Sequence, residues 1–393
     1  MSSRARLRTL VVPMQGRSPE EANRVATPLE LFFDLVFVVA IAQLSTALNH
    51  GLVGGDIGQT VVRFVFVFVG IWWAWMNFTW FASAYDTDDV VYRLITFVQL
   101  AGALVLAAGV PRAFESDDWR IGLLGYVIMR LALVTQWLRV YRDDPGRRPG
   151  ALRFAVGISA AQIAWVVLIL SSPSWLLAGF VALFAVELAV PVWAERAART
   201  PYHPEHISER YGLFTIIVLG EAMLSASLAV QFITDEGLSV QLLGILLGGM
   251  LIVFTMWWLY FERPPGSVLS SLRTGFVWGY GHFPVWAAAA AMGSGLAVAI
   301  EQASGLATLD AVQAGYMVAV PVAIYLLGLW LLRARLSRDR WTEAVPIVLT
   351  IAVILIAPLT GWGVLLTGLI LAALLGYKLV TGRLPSARQA AAE

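Results

Sequence analysis

The chain has no cysteine. That excludes disulfides, thiolate metal sites and cysteine nucleophiles, and it leaves the redox compartment unread. Charge is scarce: 13% of the 393 residues are charged, against about 25% in a soluble domain. The net charge is +1, so nothing favours a polyanionic partner, and nucleic acid is not expected. There is no phosphate-binding loop, dinucleotide fingerprint or nucleophile triad. This argues against an ATP-driven pump in one chain, and no cofactor is expected. No polar stretch is long enough for a separate soluble domain. The longest are residues 1–26, 139–153 and 195–210.

Apolar surface is what the chain has in excess, with 59% hydrophobic residues and a mean hydropathy of +0.75. A soluble fold would expose much of it and aggregate, whereas a lipid bilayer would solvate it. Runs of the ~20 mostly apolar residues that a membrane helix needs fall at 28–48, 60–82, 92–111, 121–139, 152–171, 174–194, 211–232, 239–261, 275–299, 311–332, 344–360 and 362–380. They are too long and continuous for barrel strands. The expected fold is all-α, a polytopic transmembrane helical bundle of about twelve helices. Pro173 and the Gly361/Gly363 pair suit the two tightest joins.

A basic N-terminus ahead of an apolar run suggests a signal peptide. That run contains Glu30 and Asp34 and is followed by no convincing small-residue cleavage site, so it reads as a retained first helix. With the N-terminus inside, 23 of the 27 basic residues fall in inner segments, Arg63, Arg112 and Arg120 fall outside, and Arg130 lies within a span. This is the bias of the positive-inside rule, and losing one helix would scramble it. The expected location is the bacterial inner (cell) membrane, with both termini cytoplasmic.

The two halves of the chain look alike. LELFFDLVFVVAIAQLSTAL at 29–48 resembles ISERYGLFTIIVLGEAMLSA at 207–226, in a register that matches Leu35 with Leu213 and Gln43 with Glu221. The second span of each half carries tryptophans, and the fourth begins with Gly-Tyr and ends in a Trp-Leu-basic run. An even number of helices per half makes this a parallel repeat about an axis near the membrane normal. The expected organisation is a cytoplasmic segment 1–26, six-helix repeats at 27–200 and 201–382, and a cytoplasmic tail 383–393.

Ionisable groups inside the spans are the informative residues, since a charge there costs roughly 2.5–3.5 kcal/mol on insertion scales. Glu30 and Asp34 stand one turn apart on one face of the first helix. They suit cation or proton binding, or else interfacial pairing with arginines, with Glu30 also suited to a helix N-terminus. His206, Arg210 and Glu221 fall within about 60° of one another on a helical wheel, with Glu221 roughly 16 Å further along. Glu221 reads as a proton carrier or as a hydrogen-bonded packing residue. His203, Glu205, His206 and Glu209 have spacing that admits a metal, but an inner polar cluster capping the seventh helix is preferred and no metal is expected. Arg130 lies too deep to snorkel and needs an acidic partner, with Glu187, Asp34 and Glu221 as candidates. His282 lies in GYGHFP, a Gly-rich stretch able to unwind and expose backbone carbonyls, or else is a satisfied core histidine. The tryptophans read as interfacial belts. Gly244 and Gly248 form a small-xxx-small packing face.

TPLELFFDLVFVVAIAQL at 27–44 and HISERYGLFTIIVLGEAML at 206–224 resemble the signature segments of the bacterial low temperature requirement A family, over nearly the whole chain. The positions matching its pattern are Glu30, Phe33, Asp34, His206, Glu209, Arg210, Gly220 and Glu221. The resemblance implies a membrane protein named for a growth phenotype in the cold, and no particular activity. FFDLVFVVAIAQL at 32–44 is also similar to the Phe-Ser-Asp first helix of endolysosomal potassium and proton channels built from six-helix repeats. Phe33 replaces the serine, and the second half has Gly212 near the place of the aspartate.

Three functions are expected to compete. The first is a transporter or channel for a proton, cation or small solute, with Glu30, Asp34, Arg130, Glu187, His206, Glu209, Arg210, Glu221 and His282 along the pathway. The second is a membrane-embedded enzyme on a lipid or hydrophobic substrate, for which the His206/Glu209/Arg210/Glu221 group would supply acid–base chemistry. The third is a scaffold or sensor. An enzyme is the less expected outcome, and a homo-oligomer is compatible with all three.

Overall fold

A computed structural model describes residues 11–21, 24–171, 174–236, 239–262, 271–334 and 340–381. Pro173, residues 1–10 of the expected cytoplasmic segment and the expected tail 383–393 lie outside these. The described residues form twelve α-helices and no strand: α1 Pro28–Val53, α2 Ile57–Tyr85, α3 Val90–Ser116, α4 Arg120–Asp143, α5 Arg148–Ser171, α6 Leu176–Glu195, α7 Pro204–Glu236, α8 Val240–Phe261, α9 Leu272–Ala303, α10 Ala311–Ala334, α11 Arg340–Ile356 and α12 Gly363–Val380. Ten are long and apolar enough to cross a membrane, the others being α7 and the shorter α11. The all-α polytopic expectation therefore holds, and the expected spans map onto the twelve helices in order, with 344–360 divided between α11 and the 3-10 turn that follows it.

Local chemistry explains where the helices start. Thr27 and Glu30 form a reciprocal cap on α1: Glu30 N–H donates to Thr27 Oγ1 (3.3 Å), and Thr27 N–H donates to Glu30 Oε2 (2.7 Å). Pro28 occupies the first helical position, where its missing N–H costs nothing. α7 repeats the device with Pro204 in that position and His203 Nδ1 accepting from His206 N–H at 3.3 Å. Asp89 caps α3 through Tyr92 N–H at 2.6 Å. Between α11 and α12 a 3-10 turn, Ala357–Thr360, ends at Gly361, whose φ of +77° is open to glycine without strain.

The chain divides into two contact units. Unit 1 comprises residues 1–43 and 70–210, and unit 2 comprises 44–69 and 211–393. Within unit 1, α3 packs on α4, α4 on α5 and α5 on α6. Within unit 2, α9 packs on α10, α10 on α11, α11 on α12 and α12 on α8. The last contact uses the expected small-residue face. A Cβ on Gly248 would lie 2.6 Å from Val364 O, and one on Gly368 would lie 2.6 Å from Gly248 O. The two backbones thus touch where only glycine fits. Gly244 abuts the Trp362 ring instead.

One of the two readings of GYGHFP is set aside here. α9 stays helical through Gly279–Pro284, so the Gly-rich stretch is not unwound. Pro284 removes one backbone donor, and buried packing holds the helix together around it.

Candidate functional site

The richest polar cluster lies in unit 1, where α1 and α7 begin. His206 Nε2 stands 3.2 Å from Glu30 Oε1, and Arg210 Nη1 stands 3.4 Å from the same oxygen. Arg210 Nη2 pairs with Asp34 Oδ1 and lies 3.5 Å from Thr79 Oγ1. Asp34 Oδ1 also accepts Trp75 Nε1–H at 2.7 Å. Arg24 enters from the segment before α1, 3.8 Å from Glu30 and 3.6 Å from Asp86, and donates to Ala82 O. All these charged side chains are buried. Outside the spans, burial pushes the Asp86 carboxyl up to about 6, with the negative charge of Glu30 adding to the shift and Arg24 opposing it. Glu21, half-buried, is held below the usual carboxylate range by its hydrogen bond to Arg17.

Glu209, by contrast, is exposed and only accepts Ala26 N–H at 3.2 Å. His203 is buried as the α7 cap, its Nε2 bonded to Glu21 O at 3.0 Å. Among the described residues no group of three or more His, Asp or Glu is placed to hold a metal ion.

A second buried pair in unit 1 joins Arg130 to Glu187 at 2.5 Å. Of the three candidate partners for Arg130, Glu187 is the one it meets. Glu187 also accepts Trp73 Nε1–H (2.8 Å) and Trp165 Nε1–H (3.2 Å), and the Arg130 guanidinium lies 5.5 Å from the Tyr126 ring centre. The tryptophan-belt expectation is corrected here for the buried tryptophans of α2 and α5, while Trp175, Trp193, Trp257, Trp258 and Trp362 are exposed. Trp72, Trp73 and Trp75 are fully buried, and the indoles of Trp73, Trp75 and Trp165 serve as donors to buried carboxylates. A carboxylate in a dry interior needs such donors, and the indole N–H is one that is itself mostly apolar.

Glu221 lies in unit 2. Its Oε2 accepts the Ser45 hydroxyl at 3.0 Å, and the Ser294 hydroxyl donates to Ser45 O at 3.0 Å. Among the described residues it has no ion pair. His282, also in unit 2, is buried with both ring nitrogens used. Nδ1 donates to Trp278 O (2.7 Å) and Nε2 accepts from Tyr260 O–H (3.0 Å). Trp278, Tyr211 and Trp286 surround the ring, which is the satisfied core histidine of the two readings.

Helix-wheel reasoning placed Glu30, Asp34, His206 and Arg210 correctly on their own helices. It missed Arg24, Asp86, Ser45, Ser294 and the tryptophan donors. Only the clustering of tryptophans beside acid-bearing helices could have pointed to the last of these.

The sequence model described as bacterial low temperature requirement A protein matches residues 25–379. An uncharacterized protein of Rhizobium meliloti is 28% identical over 277 residues, a match that spans 65% of this chain and 65% of that relative. No solved structure matches.

Proposed function

The chain belongs to the bacterial low temperature requirement A family and is a multi-pass membrane protein, and we propose that it is a transporter or channel for a proton, cation or small solute. The observation that carries this reading is Glu221, a buried carboxylate near the middle of α7 whose partner is a hydroxyl and not a cation. A structural carboxylate in a span is expected to be neutralised by an arginine, as Asp34 and Glu187 are. Glu221 departs from that rule, and uncompensated ionisable groups in spans mark ion pathways. The Glu30–Asp34–His206–Arg210 cluster and the Arg130–Glu187 pair act in this reading as internally neutralised clamps within unit 1.

The proposal includes the internal repeat, in a corrected register. Glu30–His206, Asp34–Arg210 and Ser45–Glu221 each join residues 176 apart in sequence. The same offset superposes Thr27-Pro28 on His203-Pro204, the two helix starts. Contacts between equivalent positions are what a two-fold repeat produces near its axis, and this register replaces the match of Leu35 with Leu213. At each such contact the halves hold complementary groups, acid against base or hydroxyl against acid. The order of helix packing within each unit also agrees with a repeat, as does the location of both termini in the cytoplasm inferred from the charge bias.

One observation favours the enzyme reading: His206 and Glu30 converge to 3.2 Å. Both are fully buried, however, and Glu30 already faces Thr27 through Oε2 and Arg210 through Oε1, so a substrate would have to displace a partner to reach it. The test is flux into proteoliposomes holding the purified chain, with a pH dye and a cation panel, against protein-free vesicles. Flux above the vesicle background supports transport. No flux for any ion, proton gradient or small solute, together with a cold-growth phenotype that Glu221→Gln leaves intact, would favour the scaffold or sensor.

A further inference from the structure

Three features around Glu221 bear on what it binds. The first is the poverty of its oxygen shell. Hard cations gather six or more oxygen ligands, whereas the described residues bring one hydroxyl, that of Ser45, to Glu221 Oε2. The hydroxyl nearest to being a second ligand, that of Ser294, is directed at the carbonyls of Ser45 (3.0 Å) and Ala290 (3.5 Å). The second is close packing. A Cβ on Gly293 of α9 would lie 2.9 Å from Ala222 Cα and 3.6 Å from Glu221 Oε2, so the α9 backbone is pressed against Ala222 and even a methyl group there would reach van der Waals contact with the carboxylate.

The third is the chemistry of the partner. A serine hydroxyl is donor and acceptor. It donates to Glu221 as a carboxylate, and it accepts from Glu221 as a carboxylic acid while turning its own hydrogen to a carbonyl of its helix. One side chain therefore satisfies both protonation states without moving the backbone.

We infer that the ion exchanged at Glu221 is a proton and not a metal cation, an inference that deepens the transport reading and rests on it. Uptake adds one proton to the carboxylate and release returns it, so no other reactant is needed. The elements packed here present Ser45 from α1 and Gly293 and Ser294 from α9, with no ion pair to Glu221 among the described residues. The nearest titratable positions on those helices are His50, five residues beyond Ser45, and Glu301, eight beyond Gly293. α1 also carries a polar neighbour for such a proton. Asn49 follows Ser45 by one turn on the same face, is buried, and its Nδ2 has no hydrogen-bond partner.

The test uses a hydrophobic carbodiimide, which reacts with protonated carboxyls in the membrane, on the full chain in liposomes. Glu221 keeps 9% of its surface exposed, so the reagent has a contact. Adducts are read by peptide mass spectrometry across a pH series, with and without high sodium, potassium or calcium. The expected result is an adduct on Glu221 that grows as pH falls, with a midpoint unmoved by any cation, and a slower approach to it in Asn49→Leu. Suppression of the adduct by a cation would overturn the proton assignment while leaving transport standing. Absence of the adduct at every pH, in both the wild type and Ser45→Ala, would also overturn it. A normal adduct in protein that shows no flux would count against transport alone.

Discussion

Asp34 and Arg210 illustrate how a buried ion pair behaves at the scale of single residues. Removing one partner leaves an uncompensated charge out of water, which costs about 3–5 kcal/mol. Asp34→Asn is therefore expected to lower the unfolding temperature in detergent sharply. Asp34→Arg should do worse, because it sets two guanidiniums together. The swap Asp34→Arg with Arg210→Asp is expected to recover part of the loss, as the equivalent-position contact predicts. Thermal unfolding of the four proteins checks this, and equal damage from the swap and from Asp34→Arg would deny the pairing.

Asp86 gives a pH prediction at the same scale. Its carboxyl titrates near 6 in the fold, above the ~3.9 of an unfolded chain, so the folded state holds the proton more tightly. The stability this contributes is full below about pH 4 and is lost as pH rises through 6, at no more than ~1.4 kcal/mol per pH unit. Unfolding measured from pH 4.5 to 7 should show this slope in the wild type and a flatter one in Asp86→Asn. Asp34 was legible in the sequence because ionisable groups stand out in apolar spans. Arg24 and Asp86 were not, since both lie outside the spans and meet only through the fold.

Among the helices, the start of α1 was legible at residue 28, whereas α7 begins at Pro204, well before the span expected from 211. Thr27-Pro28 and His203-Pro204 each place a cap before a proline, a signal the hydropathy reading does not use. Of the two readings of GYGHFP, the unwound one took glycine density for weakness. Gly281 is instead a contact point, lying against the Leu332 side chain. The α8–α12 contact gives a sharper test of that view. Gly248→Val should force the two backbones apart, with a cost of typically 1–3 kcal/mol from overpacking, while Gly58→Val, with open space around it, should cost far less. Detergent-stability curves of the two variants compare them directly.

For the molecule as a whole, composition alone established a polytopic helical membrane protein, because so apolar a chain has no other stable solvent. Orientation rests on the distribution of arginines, and the absence of cysteine makes it easy to test. Gly146→Cys, between α4 and α5, should react with an impermeant maleimide only from the cytoplasmic side. Thr308→Cys, exposed between α9 and α10, should react only from the outside. Reversal of both would invert the topology, and reaction of both from one side would change the helix count between them.

The most direct measurement for the whole molecule is the initial rate of the pH-dye response to an imposed proton gradient, in proteoliposomes matched for folded protein. Wild type is to be compared with Glu221→Gln, which keeps an acceptor for Ser45 but cannot ionise. A rate well above protein-free vesicles in the wild type, falling at least tenfold in Glu221→Gln, is the predicted result. An unchanged rate in the variant would contradict a pathway through Glu221.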